Sequence, residues 1–580
     1  MVSLQSPCPT SKRTLVHPSP RFPSSKDEHI EREIETGTPG ASIEQGHRAR
    51  PTYRAWLDPL LVAILVGGFI GRLIISAWRP YWYDEFLSML TYGTIPQSTA
   101  DMLSHLATNS VHPPLYQMLL MQWMRVFGHG EVATRSLSNL FVVVATAFLY
   151  LTVSRLLDRR AALGAATVFT LLYVVFFLAM EARSYALSIM LAAIAGYLVI
   201  RIIDQSLRSF PSRVALWSGE GLALSLTNIG LMFSHYYNVF LVASHAVFLL
   251  VFSIVRGPSR SRLRGLGFLV VFYLSQISVF AAFWLPSFLQ QATNRTGSYS
   301  LDGMPENPLA VFVNFTVSAY LPVQQFPILS VLALTVAIAP VGWALIRISN
   351  SGDQQSNSVG HWGIIFLGVW LFFPFLFAYA GFAVSGFERY SVRYFAYTGP
   401  AFAALLVIGA VQAARSVFPT APLRESGGWG RAVARDVLAC SALVLFVLPA
   451  AYDAGTTSHD AYRDIADAVS DIVESDATGS YVLYEVTHGK EPFVDYYLKR
   501  NRTDVRVRST IPFSDELAGT FDFEAELAEF EEHDHLIVMF PHITHDNAPN
   551  TMAILSERYH VRLAQLDATA RGIVVFDVSG

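Results

Sequence analysis

Long apolar runs recur along this chain, and each is long enough to cross a lipid bilayer. A spanning helix needs ~20 mostly apolar residues, because each residue advances only ~1.5 Å through ~30 Å of hydrocarbon. About eleven segments meet that criterion. They lie near residues 57–77, 135–155, 162–180, 185–203, 217–234, 236–255, 266–286, 326–347, 361–381, 394–413 and 436–452. In lipid a backbone must satisfy its own hydrogen bonds, so such runs fold as helices that pack side by side. Composition agrees: 52% of residues are hydrophobic and 15% charged, against ~25% charged in soluble proteins. The expected fold class is an α-helical multi-pass membrane protein.

Orientation follows from arginine and lysine, which concentrate in short cytoplasmic loops. The N-terminal tail carries Lys12, Arg13, Lys26, Arg48, Arg50 and Arg54. Alternate connections are then cytoplasmic too. They carry Arg155, Arg159 and Arg160; Arg201, Arg208 and Arg213; the basic run from Arg256 to Gly265; Arg347; and Arg415, Arg424, Arg431 and Arg435. An odd span count with the tail inside places the C-terminus outside.

Residues 1–54 are polar, rich in Pro and Ser, and lack the apolar core of a signal peptide; they read as a disordered cytoplasmic tail. Residues 55–455 form the membrane domain. Residues 456–580 return to soluble composition and alternate helical stretches (Ala461–Glu474, Glu524–Glu532) with β-rich runs (Tyr481–Val486, Val505–Arg508, Leu536–Phe540, Ile573–Val578). This pattern reads as a small extracytoplasmic α/β domain.

Several function classes are excluded. A net charge of −4 leaves no bulk polycation for nucleic acid. Cys8 and Cys440 are the only cysteines, too few for a disulfide framework or a cysteine-based zinc site. The large cytoplasmic segments contain no Gly-rich nucleotide fingerprint. His542 and His545 have a spacing that suits a metal, but without a third ligand.

The chemistry concentrates in the first outer loop, from about Trp78 to Thr134. It opens Arg79-Pro-Tyr-Trp-Tyr-Asp-Glu-Phe, so Asp84 and Glu85 follow closely on the first span. Acidic groups beside a bilayer are costly to leave unpaired. A carboxylate there could take a proton from a hydroxyl or bind a cation; an interfacial acidic pair within an aromatic belt would look the same. The loop continues Val111-His112-Pro113-Pro114-Leu115-Tyr116 into an apolar stretch too short to span. An interfacial helix fits, started by the prolines and ended by Gly128. Arg135-Ser-Leu-Ser then opens the next span.

Asp-Glu after the first span, His-Pro-Pro-Leu-Tyr, a Gly and Arg-Ser-Leu-Ser together resemble the GT-C glycosyltransferase superfamily. More narrowly they resemble the branch of protein O-mannosyltransferases, lipid A aminoarabinose transferases and related bacterial sugar transferases. Three further stretches agree: Glu181-Ala-Arg-Ser-Tyr-Ala186, Ser234-His235-Tyr236-Tyr237, and either Arg389-Tyr390 or Arg393-Tyr394. All fall on the outer face that the arginine pattern defines. The resemblance covers roughly residues 57–415. Ser184 departs from the usual proline, and the outer loop near 287–325 is too short for the large lumenal domain of eukaryotic protein O-mannosyltransferases.

The resemblance implies a membrane glycosyltransferase that moves a sugar from a polyprenyl-phosphate donor to a glycan, lipid or protein acceptor on the extracytoplasmic face, in a bacterial inner membrane. It implies Asp84 as catalytic base with Glu85 as its partner. It implies His112, Arg183, His235, Tyr236, Arg389 and Arg393 as substrate-binding residues. A divalent cation is left open; the matching branch generally works without one. The rival reading is a multi-pass transporter or flippase of lipid-linked glycans, which would place its polar groups at the bilayer midplane and show inverted repeats. The sugar and the acceptor are not legible in the sequence.

Overall fold

The computed structural model describes residues 58–82, 84–86, 88, 98–110, 112–208, 218–256, 262–293, 327–349, 358–385, 391–419, 428–456, 462–475, 479–485, 491–509, 533–540, 555–566 and 572–578. Among these, eight helices are long and apolar enough to cross a membrane. They are Pro59–Trp78, Glu131–Leu156, Tyr185–Leu207, Asn238–Arg256, Gly265–Gln291, Val359–Gly381, Val392–Val417 and Gly430–Gly455. Each matches one of the expected apolar segments, and the protein is an integral, multi-pass membrane protein.

The other three expected segments are also helical, in other forms. Segment 162–180 is broken: helix Arg159–Leu171 ends, Leu172 turns extended at ψ 130°, and helix Tyr173–Leu178 follows. Segment 217–234 is the 16-residue helix Gly219–Ser234. Segment 326–347 lies in helix Pro327–Ser349. Its Pro340 carbonyl sits where a Cβ on Gly409 would be, 1.8 Å away, so only glycine admits this approach of two helices. Gly196 makes the same allowance for the Trp370 ring.

Polar clusters fix the two ends of the bundle. At one end Asp58 caps the first helix and accepts Arg159 Nε at 2.5 Å and Nη2 at 2.7 Å. Nearby, buried Asp436 gathers Arg415, Arg435 and Arg160. About 30 Å away, one 20-residue helix length, the chain enters the loop that carries Asp84.

In that loop, helix α1 (Leu115–Phe127) begins after Pro114 and stops at Gly128, whose φ of +89° favours glycine. Tyr116, Leu120, Met121 and Met124 face the protein, while Leu119, Val126 and Phe127 face outward, as an interfacial helix requires.

The residues after the last span form a five-stranded sheet of order β2-β1-β3-β5-β4. The strands are β1 (Tyr481–Glu485), β2 (Arg506–Ser509), β3 (His535–Phe540), β4 (His560–Leu566) and β5 (Gly572–Asp577). The first three are parallel neighbours; β5 runs antiparallel to both β3 and β4. Two helices, α2 (Tyr462–Ser475) and α3 (Glu491–Asn501), complete an α/β domain. Strand β4 and helix α3 were not anticipated. Residues 524–532, Arg389, His542 and His545 lie outside the described residues.

Candidate active site

Asp84, Glu85 and Phe86 lie on a helical turn directly after the first span. The turn is fixed first through Glu85. Arg135, one turn into the second span, donates from Nε to Glu85 Oε1 at 2.9 Å and from Nη2 to Oε2 at 2.6 Å. Backbone amides of Ala182 (2.8 Å) and Trp82 (3.3 Å) donate to the same carboxylate. The remaining Arg135 hydrogens go to the carbonyls of Ser76, Arg79 and Pro80. Both side chains are 1% exposed. A buried ion pair is stable only when its other polar valences are filled, and here they are.

With Glu85 committed inward, Asp84 turns to a second pair of arginines and keeps its side chain 18% exposed. Its Oδ2 accepts from Arg393 Nη1 at 2.9 Å and lies 3.7 Å from Arg183 Nη2. Arg183 also donates to the Asp84 carbonyl at 3.0 Å and to Ser88 Oγ at 3.3 Å, and its Nη2 is 2.9 Å from His112 Nε2. Burial opposes the charge on Arg183, but Asp84 and Tyr185 together overcome it, so Arg183 keeps its proton more tightly than usual. Arg393 sits over Trp82 at 5.1 Å and Tyr185 at 5.7 Å, a cation–π pair of contacts.

His235, at the end of helix Gly219–Ser234, closes the far wall with Tyr185, Tyr237 and Tyr394. Burial, aided by the two arginines, pushes its pKa down to about 3, so the ring is neutral. His112 stands 5.4 Å away, ring to ring.

One further carboxyl lies beside this cluster. Glu181 is fully buried, and neither of its oxygens has a hydrogen-bond partner. Burial pushes its pKa up to about 8, against the pull of Arg393 and Arg79 and with the push of Glu85 and Asp84. It is therefore protonated at neutral pH. Arg393 Nε and Arg79 Nη1 are likewise buried without a partner. With Glu85 and Arg135 cancelling, Arg79, Arg183 and Arg393 face the single charge of Asp84. The cluster keeps a positive surplus, which suits an anion.

Among solved structures, ArnT from Cupriavidus metallidurans in the apo state aligns with a TM-score of 0.52. The alignment covers 90% of this chain and 98% of that chain at 12% identity. The fold is that of the GT-C glycosyltransferases. The expected resemblance is thereby met at the level of three-dimensional structure. Residues 111–283 also match the sequence family described as dolichyl-phosphate-mannose-protein mannosyltransferase. Two other GT-C proteins align more loosely. One is the oligosaccharyltransferase AglB from Archaeoglobus fulgidus, in complex with an inhibitory peptide and a dolichol-phosphate (TM-score 0.45, 10% identity, 83% of this chain, 69% of that one). The other is the mycobacterial arabinofuranosyltransferase AftD (0.42, 13%, 91% and 42%). No protein of curated function matches the sequence.

On this GT-C frame, Asp84, His112, Arg183, His235 and Arg393 come together from five separate segments. Glu85 is adjacent but turned into the Arg135 pair. Tyr236 points elsewhere: its hydroxyl donates to Gln291 at 2.6 Å and accepts from Trp284 at 3.0 Å. Tyr237 lies beside Tyr394, at 4.9 Å ring to ring. Glu181 and the Arg135 partnership were missed. Glu181 stood in a recognised motif, and an acid two residues from an arginine in a short loop was the available signal. Among the described residues no group of three His, Cys, Asp or Glu is arranged to hold a metal ion. The carboxylates a cation would use, Asp84 and Glu85, are already paired with arginines.

Proposed function

We propose that this protein is a membrane glycosyltransferase that moves a sugar from a polyprenyl-phosphate donor to an acceptor hydroxyl at the extracytoplasmic face of a bacterial inner membrane. In this orientation the N-terminus is cytoplasmic and the C-terminus outside. The observation that carries the reading is the contact of Asp84 with both Arg183 and Arg393. A carboxylate able to accept a proton and two guanidinium groups able to hold a phosphate meet at the end of the bundle. The name of the matching family, a lipid-phosphate-sugar transferase, supports the same donor class.

The chemistry balances as a displacement at the anomeric carbon. The acceptor oxygen bonds to that carbon as its proton passes to Asp84. The carbon–oxygen bond to phosphate breaks, and the electron pair leaves with the lipid phosphate. The donor is a phosphodiester with one charge; the departing monoester carries up to two. Arg183 and Arg393 therefore bind the transition state more strongly than the ground state, which is what accelerates a reaction. Their fork geometry suits paired phosphate oxygens.

The lipid tail would reach the site from the bilayer past helix α1, whose outer face is apolar. A transporter would carry its convergent polar groups midway along the spans; here they converge where helices end. Mass spectrometry of cell-envelope glycans with and without the protein tests the reading. Loss of one defined sugar from one glycan, lipid or protein is expected. Identical profiles would count against it.

A further inference from the structure

The domain that follows the last span reaches into the turn that bears Asp84. Phe86, on that turn, is 1% exposed and, among the described residues, meets four aromatic rings. One is Tyr81, at 5.3 Å; the other three come from the C-terminal domain: Tyr462 at 6.1 Å, Tyr496 at 5.6 Å and Tyr497 at 5.6 Å. All four meet Phe86 edge-on, the geometry that aromatic quadrupoles favour. Tyr497 does more than pack. Its hydroxyl accepts from the Tyr81 amide at 2.9 Å and donates to Glu131 Oε1 at 3.2 Å. Arg500, one turn on in α3, donates to both Glu131 oxygens at 3.0 Å. From α2, Arg463 donates to the carbonyl of Trp78, the last residue of the first span.

These contacts converge on the Glu85 pair. Glu131 opens the helix whose next turn presents Arg135, and Arg135 holds Glu85. Tyr81 lies across the Arg135 guanidinium at 5.2 Å and bonds Thr134 through its hydroxyl at 2.7 Å. The membrane domain thus grips the Asp84 turn from beneath through Arg135, and the C-terminal domain grips it from above through Tyr497.

We infer that Tyr497 is a positioning residue for Asp84, and that the C-terminal domain is part of the catalytic scaffold. This inference rests on the proposed sugar transfer. Displacing a reacting group by about 1 Å can cost on the order of 100-fold in rate, so the grip is read in turnover. Removing the Tyr497 hydroxyl frees the Tyr81 amide and one bond to Glu131, loosening the turn without removing an aromatic ring.

The test uses the full-length protein in detergent or nanodiscs with a polyprenyl-phosphate sugar. Tyr497→Phe is expected to lower kcat roughly 10–100-fold, with donor KM near that of the wild type and only a modest fall in melting temperature from the unpaired Tyr81 amide. In an Asp84→Asn background the same change should cost nothing further, because both act through one carboxylate; independent sites would add. Arg500→Gln, at a half-exposed position, supplies a second variant should Tyr497→Phe fold poorly. Unchanged kcat in these variants, or a loss that simply adds to that of Asp84→Asn, would overturn the inference. So would a loss confined to acceptor KM, which would make the domain an acceptor-binding module. Absence of transfer by the wild-type protein would instead refute the proposed function.

Discussion

Asp84 and Arg393 are 309 positions apart in the chain, yet their side chains meet at 2.9 Å. The contact joins the loop after the first span to the start of a late one. Every helix between them must pack correctly before it can form. The site is therefore a product of the whole bundle, and its acid is held by arginines that a substrate phosphate would have to share.

Replacing Asp84 with Asn keeps the shape and removes the proposed proton acceptor. General base catalysis is worth roughly 10²–10⁴-fold, so kcat should fall by about that factor while the protein still inserts and elutes as the wild type does. Turnover assays on purified protein would measure it. Near-normal transfer would remove Asp84 from the role of base.

Glu85 is expected to behave differently from Asp84. Breaking a buried ion pair from one side costs about 3–5 kcal/mol, because the other charge stays buried and uncompensated. Glu85→Gln should accordingly lower the detergent melting temperature distinctly, where Asp84→Asn should not. Equal melting temperatures for the two variants would contradict the division of labour between neighbouring carboxylates.

Much of this was legible in the sequence, for physical reasons. Apolar runs reported the helices because lipid enforces composition over ~20 residues. Asp84 stood out because charges beside spans are costly; Arg183, and Arg389 or Arg393, stood out through the resemblance. What escaped was geometry at the scale of one residue. Tyr236 and Tyr237 are adjacent, and only the turn after Ser234 decides which lies beside Tyr394. The break at Leu172 carries no Pro or Gly to announce it. Strand β4 alternates polar residues along a sheet edge, and Glu181 resembled an ordinary loop acid until its burial was seen.

That burial has a consequence for pH. Glu181 is neutral below a pKa of about 8 and charged above it. Raising the pH through that value adds a negative charge beside Asp84 and Glu85 and reduces the positive surplus that favours a phosphate. Transfer should therefore decline above pH 8 through a rise in donor KM. Glu181→Gln, which cannot ionise, should remove that alkaline limb. Identical limbs in wild type and variant would assign the decline to another group.

The central claim is that a phosphate-linked lipid sugar is the donor. Its most direct test offers purified protein two donors carrying the same sugar, one on a polyprenyl phosphate and one on a soluble nucleotide, with a radiolabel to follow transfer to acceptor. Transfer from the lipid-linked donor alone is expected. Efficient transfer from the nucleotide sugar in detergent, with no lipid carrier present, would contradict the account.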